Sequence, residues 1–210
     1  MKYIFCAGAP GSKWSSLIKN IYYSPSVDQT DYSEARTYWH DAPGDLQLMH
    51  LGAYFDPGME FNLPVDLSTL SKAELERRFD DPFSGTGVRI IKSHIFAHNI
   101  DYLRHTWPEC PIILALRGDD ACLGWWVKCG HFNITYPSYN KYYKDLRSMA
   151  QIITDQNQDI RRAWNNYPGS IPPNNFALSH ILGILPAPEE YTQDYTRSDV
   201  EVKVIKGTNI

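Results

Sequence analysis

The chain has 210 residues, 43% of them hydrophobic, so its length suits one globular domain with a substantial core. Its 20 Lys and Arg are outnumbered by 24 Asp and Glu, and the net charge of −4 argues against a nucleic-acid-binding protein, which usually carries a basic surplus. Since no apolar run approaches the roughly 20 residues of a membrane span and the first strand begins at Lys2, leaving no room for a signal peptide, we expect a cytoplasmic protein without a membrane partner.

The amino-terminal residues predict a strand, a tight loop and a helix. Residues 3–7 are mostly apolar, residues 8–12 hold two glycines, a proline and a serine, and residues 14–23 place apolar side chains at helical spacing. At the start of such a helix, N–H groups without intrahelical partners and the helix dipole favour a phosphate or sulfate. Three hydroxyls and one ammonium can complete this cradle: Ser12, Ser15, Ser16 and Lys13.

The segment 24–64 is rich in Pro, Gly, Asp, Tyr and His and has weak periodicity. Long irregular insertions in α/β enzymes often cover the active site, and we expect the same here. Residues 46–55 are compatible with either a strand or a short helix. The segment's aromatic and imidazole side chains are candidates for an acceptor pocket, although aromatics that only anchor a loop are the simpler interpretation. These candidates are Trp39, His40, His50, Tyr54 and Phe55.

The next predicted strand ends in polar residues. After a helix over residues 68–79 that Ser71 can cap, residues 88–94 predict a strand that ends in Lys92, Ser93 and His94. Because side chains alternate along a strand, Lys92 and His94 share one face and Ser93 points to the other. The sequence therefore predicts an ammonium and an imidazole side by side at a strand end.

A third strand and helix complete the pattern. Residues 99–107 predict a crossover helix, and residues 111–116 form a near-continuous apolar run that ends in Arg117, as is typical of a strand buried on both faces. Three strand-then-helix units predict an α/β fold with a parallel sheet. Ligands of such sheets lie beyond the carboxyl ends of the strands, where the loop after residue 7, the Lys92/His94 pair and Arg117 all fall.

The remaining elements predict packing. A helix after Arg117 should bury Cys122, Leu123, Trp126 and Val127, and residues 140–166 carry an apolar stripe that includes Leu146 and Ile153. Residues 175–185 predict another buried helix, and residues 199–206 alternate like a half-exposed strand. The four cysteines lack metal-ligand spacing, so we expect free thiols and no metal site: Cys6, Cys110, Cys122 and Cys129.

Four short motifs resemble the sulfotransferases that use 3′-phosphoadenosine 5′-phosphosulfate (PAPS). The family's loop motif Pro-Lys-Ser-Gly-Thr-Thr-Trp-Leu is similar to residues 10–17, and its Lys-Thr-His strand end is similar to residues 92–94. The next strand of the family ends in an arginine that, with a serine eight residues later, holds the 3′-phosphate of the cofactor. Arg117 resembles this arginine, which implies that it pairs with the 3′-phosphate, and residues 125–126 resemble the family's aromatic pair on the following helix. The family's late Arg-Lys-Gly element resembles residues 205–207.

The resemblance implies a three-layer sandwich with a central parallel sheet, of the type found in P-loop nucleoside triphosphate hydrolases, over residues 1–210. It implies transfer of a sulfuryl group from PAPS to a hydroxyl or amine of a small-molecule or glycan acceptor. The products would be the sulfated acceptor and adenosine 3′,5′-bisphosphate, with no metal required. His94, with a reference pKa of about 6.5, would be the base. Lys92 and Lys13 would stabilise the departing phosphate oxygen.

The sequence departs from the family pattern at two places. Gly11 occupies the place of the loop lysine, whereas Lys13 stands where a glycine is expected. No serine lies eight residues after Arg117, because Trp125 is there, and Lys128 on the same helix is a candidate substitute. The expected cofactor contacts are then Pro10, Gly11, Ser12, Lys13, Trp14, Ser15, Ser16, Arg117, Lys128, Lys206 and Gly207.

Other interpretations fit the same residues. Residues 8–12 also open many Walker A loops of nucleotide kinases, but Lys13 comes one residue too early for that motif, and a kinase needs a carboxylate that holds Mg²⁺. A catalytically silent P-loop protein that binds an anion or a partner is the third hypothesis. The purely structural alternatives are a His94 that is only hydrogen-bonded in place and an Arg117 paired with Asp119 or Asp120.

Overall fold

A computed structural model describes residues 1–31, 39–42, 46–49, 53–59, 61–128, 144–191 and 199–207, with the backbone alone for 39–42 and 46–49. The described strands are β1 (Tyr3–Gly8), β2 (Trp39–Ala42), β3 (Leu46–Met49), β4 (Arg89–Lys92), β5 (Ile112–Leu116), β6 (Gly169–Ser170) and β7 (Glu201–Ile205). The described α-helices are α1 (Trp14–Tyr22), α2 (Lys72–Asp80), α3 (Ile100–Thr106), α4 (Asp119–Lys128), α5 (Leu146–Asn166) and α6 (Asn175–Leu182). Short 3₁₀ helices cover Leu67–Thr69, His94–Asn99 and Glu189–Tyr191.

Five of these strands form one mixed sheet in the order β4-β1-β5-β7-β6. β1 pairs in parallel with β4 and β5, whereas β7 is antiparallel to β5 and β6. The α/β architecture is confirmed, but the sheet is not parallel throughout. The difference arises in β7, which was predicted from its alternating pattern, and a pattern of that kind does not reveal the strand's direction.

Apolar side chains cover both faces of the sheet. On one face Ile4 and Cys6 of β1 pack with α1, α6 and the buried side chains of α4. On the other face Tyr3 and Phe5 pack with α2, α3 and the 3₁₀ helix His94–Asn99. The long helix α5 contributes Ile153 to the first cluster and Ile160 to the second. Strand side chains alternate between faces, and burial on both faces explains why the central strands are nearly continuous apolar runs.

Most of the predicted elements lie close to their predicted positions. Ser71 caps α2 by accepting a hydrogen bond from the N–H of Glu74, and the patch at residues 46–55 contains the strand β3. Helix α5 begins at Leu146, later than residue 140, because Asp145 caps it. Two apolar residues predicted to be buried, Val127 and Leu146, are instead exposed.

Three of the cysteines, Cys6, Cys110 and Cys122, are buried free thiols as predicted, whereas Cys129 lies outside the described residues. Within the described ranges, no helix is both long and apolar enough to cross a membrane.

The position of β1 decides where the sequence motifs meet. β1 lies between β4 and β5, and both are parallel to it, so the carboxyl ends of the three strands lie at one edge. The crevice beyond such a central strand is the usual ligand position in α/β sheets. The loop after β1, the residues after β4 and Arg117 after β5 therefore share this edge.

Candidate functional site

The loop between β1 and α1 packs tightly against α4. Gly11 has φ of +80°, and a Cβ built on it would lie 1.9 Å from the carbonyl oxygen of Cys122. A side chain is therefore excluded at this position. Two residues later Lys13 adopts the left-handed conformation, with φ 59° and ψ 22°, which glycine adopts more readily. The contact with Cys122 explains the glycine at position 11, whereas the lysine at position 13 has a backbone conformation that would favour glycine.

The side chain of Lys13 extends towards α4. Its Nζ lies 4.8 Å from the centre of the Trp125 ring, and Nζ of Lys128 lies 5.6 Å from the centre of the same ring. Lys128 is exposed, and Lys13 and Trp125 are half-buried. The two ammonium groups thus contact the same indole beside the loop, each through a cation–π interaction.

Backbone and side-chain groups of the loop are suited to an anion. Among the described residues, no backbone carbonyl accepts a hydrogen bond from the N–H of Gly11 or Lys13, while the N–H of Ser12 donates to Ala9 at 3.0 Å. The hydroxyl of Ser12 is buried and has no hydrogen-bond partner within the described part of the chain. Pro10 is buried and Ser15 and Ser16 are half-buried at the first turn of α1.

His94 lies directly against this loop. Its Nδ1 is 2.5 Å from the carbonyl oxygen of Gly8, so Nδ1 must carry the proton that is donated, and in the neutral ring Nε2 keeps its lone pair. The imidazole stacks on the Trp14 ring, with centres 4.0 Å apart, and meets the edge of Tyr54 at 5.7 Å. The contacts fix both the tautomer and the orientation of the ring at the loop.

Burial lowers the pKa of His94 below its ordinary value. The charge of Lys92 acts in the same direction, whereas the Asp56 carboxylate and the Gly8 carbonyl act against it. The imidazole is therefore neutral near pH 7, which is the state a general base requires.

Lys92 and His94 lie on the same side of the sheet, because Ile90, two residues before Lys92 on β4, belongs to the cluster that contains Trp14, on which His94 stacks. The strand ends at Lys92 and not at residue 94 as predicted, so His94 reaches this side from the 3₁₀ helix and not by strand alternation. Its side chain is only 2% exposed. Burial lowers the pKa of Lys92 to about 8, while the charges of Asp31 and Cys6 act in the opposite direction. Lys92 is thus a buried cation behind the loop, balanced by Asp31.

The insertion contributes two buried carboxylates that the sequence analysis did not identify. Asp31 accepts hydrogen bonds from the Tyr22 hydroxyl at 2.8 Å and from the N–H of Ala53 at 2.7 Å. Asp56 accepts from the Ser93 hydroxyl at 2.5 Å and from the N–H of His94 at 2.8 Å. Both lie in an irregular segment that holds several other acidic residues, so no local pattern marks them.

Arg117 is buried and holds the loop from behind. Its Nη1 donates to the carbonyl oxygens of Gly11 at 3.0 Å and Ala121 at 2.8 Å, and its Nη2 lies 3.2 Å from Asp199. Arg117 thus pairs with Asp199 and not with Asp119 or Asp120. Arg117 lies at the loop, as the strand order predicted. Its terminal nitrogens, however, already form hydrogen bonds with protein oxygens.

Asp119 has partners of its own on helix α5. Its carboxylate accepts hydrogen bonds from Asn157 at 2.7 Å, Thr154 at 3.0 Å and Arg161 at 3.1 Å. Burial raises the pKa of Asp119, but these three donors outweigh burial and lower it overall. The carboxylate acts as an anchor for α5 rather than as an open ligand for a metal ion.

The structure brings only part of the predicted acceptor pocket to this site. Tyr54 is buried against Trp14 and His94, whereas Phe55 is buried in the opposite apolar cluster with Phe61 and Phe79. The side chains of Trp39 and His40 and the whole of His50 lie outside the described residues.

Lys206 and Gly207 do not reach the site. Because β7 is antiparallel to β5, Ile205 pairs with Ile112 at the amino end of β5, and Glu201 pairs with Leu116 at the carboxyl end. A Cβ on Gly207 would lie 2.3 Å from Pro108, at the edge opposite the loop. The tail element that resembles the sulfotransferase motif is therefore not a cofactor contact, and Asp199 occupies the relevant edge instead.

No family model, curated protein or solved structure matches this chain. The chemistry of the site therefore rests on its own geometry: a neutral imidazole whose Nε2 keeps its lone pair, a loop suited to an anion and two lysines around an indole. This combination can accept a proton beside a bound anion.

Proposed function

We propose that the protein is a PAPS-dependent sulfotransferase with a P-loop fold that acts on a hydroxyl or amine of a small-molecule or glycan acceptor. The observation that carries the proposal is the hydrogen bond from Nδ1 of His94 to the Gly8 carbonyl at the base of the loop. This bond directs the unprotonated Nε2 away from that carbonyl, and the ring stays stacked on the first residue of α1. A base is thus held next to the place where an anion would bind.

The donor fits the groups that surround the loop. The N–H groups of Gly11 and Lys13, which donate to no backbone carbonyl of the described residues, and the Ser12 hydroxyl, which has no partner there, suit the 5′-phosphosulfate. The ammonium group of Lys128, which lies on the Trp125 ring beside the loop, suits the 3′-phosphate, whereas Lys13 belongs to the loop itself and suits the 5′-phosphosulfate. We assign Arg117 to loop support, because its Nη atoms already bond Gly11, Ala121 and Asp199.

When bound, PAPS supplies an activated sulfuryl group. Nε2 of His94 takes the proton of the acceptor hydroxyl or amine as that oxygen or nitrogen forms its bond to sulfur. The bond between sulfur and the bridging oxygen breaks, and its electron pair leaves with adenosine 3′,5′-bisphosphate. Lys13 and the loop N–H groups stabilise the charge that develops on the departing oxygen, with Lys92 adding positive potential from behind. His94 then returns its proton to solvent.

Isothermal titration calorimetry with adenosine 3′,5′-bisphosphate, 5′-AMP and ATP with Mg²⁺ tests the donor site. We expect the bisphosphate to bind at least tenfold more tightly than 5′-AMP, because only the bisphosphate has a second phosphate for Lys128. If ATP with Mg²⁺ were the only one of the three ligands to bind, the proposal would be overturned in favour of a nucleotide kinase. Binding of the bisphosphate without sulfate transfer in a screen of hydroxylated and amine metabolites with labelled PAPS would identify a catalytically silent protein.

His94→Ala tests the base. We expect turnover to fall at least a hundredfold, a typical loss for a general base, while bisphosphate affinity changes less than about threefold. The matched control is His98→Ala, because His98 lies on the same 3₁₀ helix but pairs with Asp159 at 2.6 Å on the surface. This control should keep its activity. Full activity of His94→Ala would remove His94 from the mechanism.

A further inference from the structure

Asp56 contacts the backbone N–H of His94 and the side chain of Ser93. It is fully buried, and its Oδ1 accepts hydrogen bonds from both the Ser93 hydroxyl and the N–H of His94. These bonds join the segment 53–59 to the residues that follow β4. The second oxygen of the carboxylate lies on the side of the imidazole.

Oδ2 of Asp56 lies 3.9 Å from Nε2 of His94. This distance is too long for a hydrogen bond but within the range of an ion pair. The opposite ring nitrogen, Nδ1, already donates to Gly8. The carboxylate therefore faces the nitrogen that would gain a proton during turnover, and the pair becomes ionic only after that proton arrives.

The described titratable groups that face His94 are Asp56, Lys92 and Tyr54. Burial and the charge of Lys92 disfavour the protonated ring, whereas the Asp56 carboxylate favours it. Of these three side chains, Asp56 is the one that supplies a compensating negative charge. Without it, an imidazolium would form in a buried site beside a buried lysine.

We propose that Asp56 is a positioning residue that orients His94 and stabilises the imidazolium formed when His94 takes the acceptor proton. This inference rests on the proposed function, and it adds a residue from the insertion to the reacting site. It differs from an Asp that fixes a histidine tautomer through Nδ1, because here the Gly8 carbonyl fixes the tautomer and Asp56 faces Nε2.

Asp56→Asn provides the test, because the amide oxygen can still accept from Ser93 and His94 while the charge is lost. The ¹⁵N resonances of His94, followed by NMR as the pH is changed in the ligand-free protein, give its protonation midpoint. We expect the midpoint to fall by about one pH unit or more. If the enzyme is active, kcat should fall at least tenfold with the KM for PAPS unchanged. An unchanged midpoint in a folded Asp56→Asn protein would overturn the inference.

Asp159→Asn is the matched control, because it removes a carboxylate that contacts the neighbouring His98 instead. It should leave the His94 midpoint unchanged.

If Asp56→Asn does not fold, the wild-type protein still decides. The ¹³C resonance of the Asp56 carboxylate should then shift with the same midpoint as His94, and the lack of a shared midpoint would overturn the inference. These NMR readouts require neither PAPS nor an acceptor, so they can fail while bisphosphate binding persists, or succeed when it does not.

Discussion

The Lys13 ammonium lies 4.8 Å from the centre of the Trp125 ring, so the two departures from the sulfotransferase pattern contact each other. Gly11 cannot carry the loop lysine because α4 leaves no room for a side chain there. The lysine at position 13 instead extends over an indole that stands where a serine is expected. The two departures therefore form one local arrangement rather than two independent losses.

Replacing Lys128 or Lys13 by Ala should weaken binding of adenosine 3′,5′-bisphosphate roughly tenfold, because a hydrogen bond to a charged group is worth about 1.5–3 kcal/mol. In Lys128→Ala, the loss of affinity should be smaller for 5′-AMP than for the bisphosphate, since AMP lacks the 3′-phosphate. Calorimetry measures both ligands. Lys72→Ala, which changes an exposed lysine on α2, is the control and should alter neither affinity. Equal losses for the two ligands in Lys128→Ala would contradict the assignment of Lys128.

Gly11→Ala should destabilise the protein by several kcal/mol or prevent folding, because its Cβ would overlap the Cys122 carbonyl and its φ is positive. Chemical denaturation monitored by circular dichroism gives the free energy of unfolding. Gly124→Ala is the matched control, since a Cβ there has no described atom within 4 Å and the residue lies inside α4. The control should gain about 0.5–1 kcal/mol from helix propensity. Similar stabilities of the two variants would contradict the close contact between loop and α4.

Arg117→Ala should lower the free energy of unfolding by about 2–3 kcal/mol, because the carbonyls of Gly11 and Ala121 both lose a donor. Arg117→Ala should also weaken the binding of the bisphosphate and of 5′-AMP by the same factor, since the loop itself is disturbed. Urea denaturation and calorimetry check the two parts. Arg161→Ala, which removes a half-exposed ion pair with Asp119, should cost less than about 1 kcal/mol. A selective loss of bisphosphate affinity in Arg117→Ala would show instead that Arg117 binds the second phosphate.

The stability of the protein should depend on pH through Lys92. Its pKa is about 8 in the folded protein and 10.5 in an unfolded chain, so between these values the unfolded chain binds a proton that the folded protein does not. The Lys92 contribution therefore makes the free energy of unfolding rise with pH, by roughly 3 kcal/mol across this range. Lys92→Met should lose this contribution.

Urea denaturation between pH 7.5 and 10.5 measures the difference between Lys92→Met and the wild-type protein. Burial raises the pKa of Cys6 to about 12, which acts in the opposite direction above pH 9, but Cys6 is present in both proteins. The exposed substitution Lys72→Met should keep the wild-type dependence. If the free energy of unfolding of Lys92→Met and of the wild type varied with pH in parallel, the lowered pKa of Lys92 would be refuted.

Local sequence patterns were sufficient to predict several parts of the fold. The apolar run of β1, the turn residues after it and the helical spacing of α1 are all local, and so is the Ser71 cap of α2. The meeting of the loop, His94 and Arg117 at one edge followed from the parallel pairing of three strands.

The rest depends on contacts between distant residues. The alternation in β7 predicts a strand but carries no information on its direction, so nothing in the sequence showed that Lys206, assigned to the cofactor by resemblance, lies at the opposite edge. Asp31 and Asp56 are two of several acidic residues in an irregular segment, and only folding brings them to Lys92 and His94. The left-handed conformation of Lys13 likewise depends on the contact of the loop with α4.

Two carboxylates from one stretch of chain, Asp31 and Asp56, meet three consecutive residues of another, 92–94. A chimaera that exchanged residues 24–64 with those of a different protein would leave an ammonium and an imidazole without their counterparts. Any graft that replaces the first stretch must therefore transfer both stretches as one unit, or confine its changes to positions between the two acidic residues.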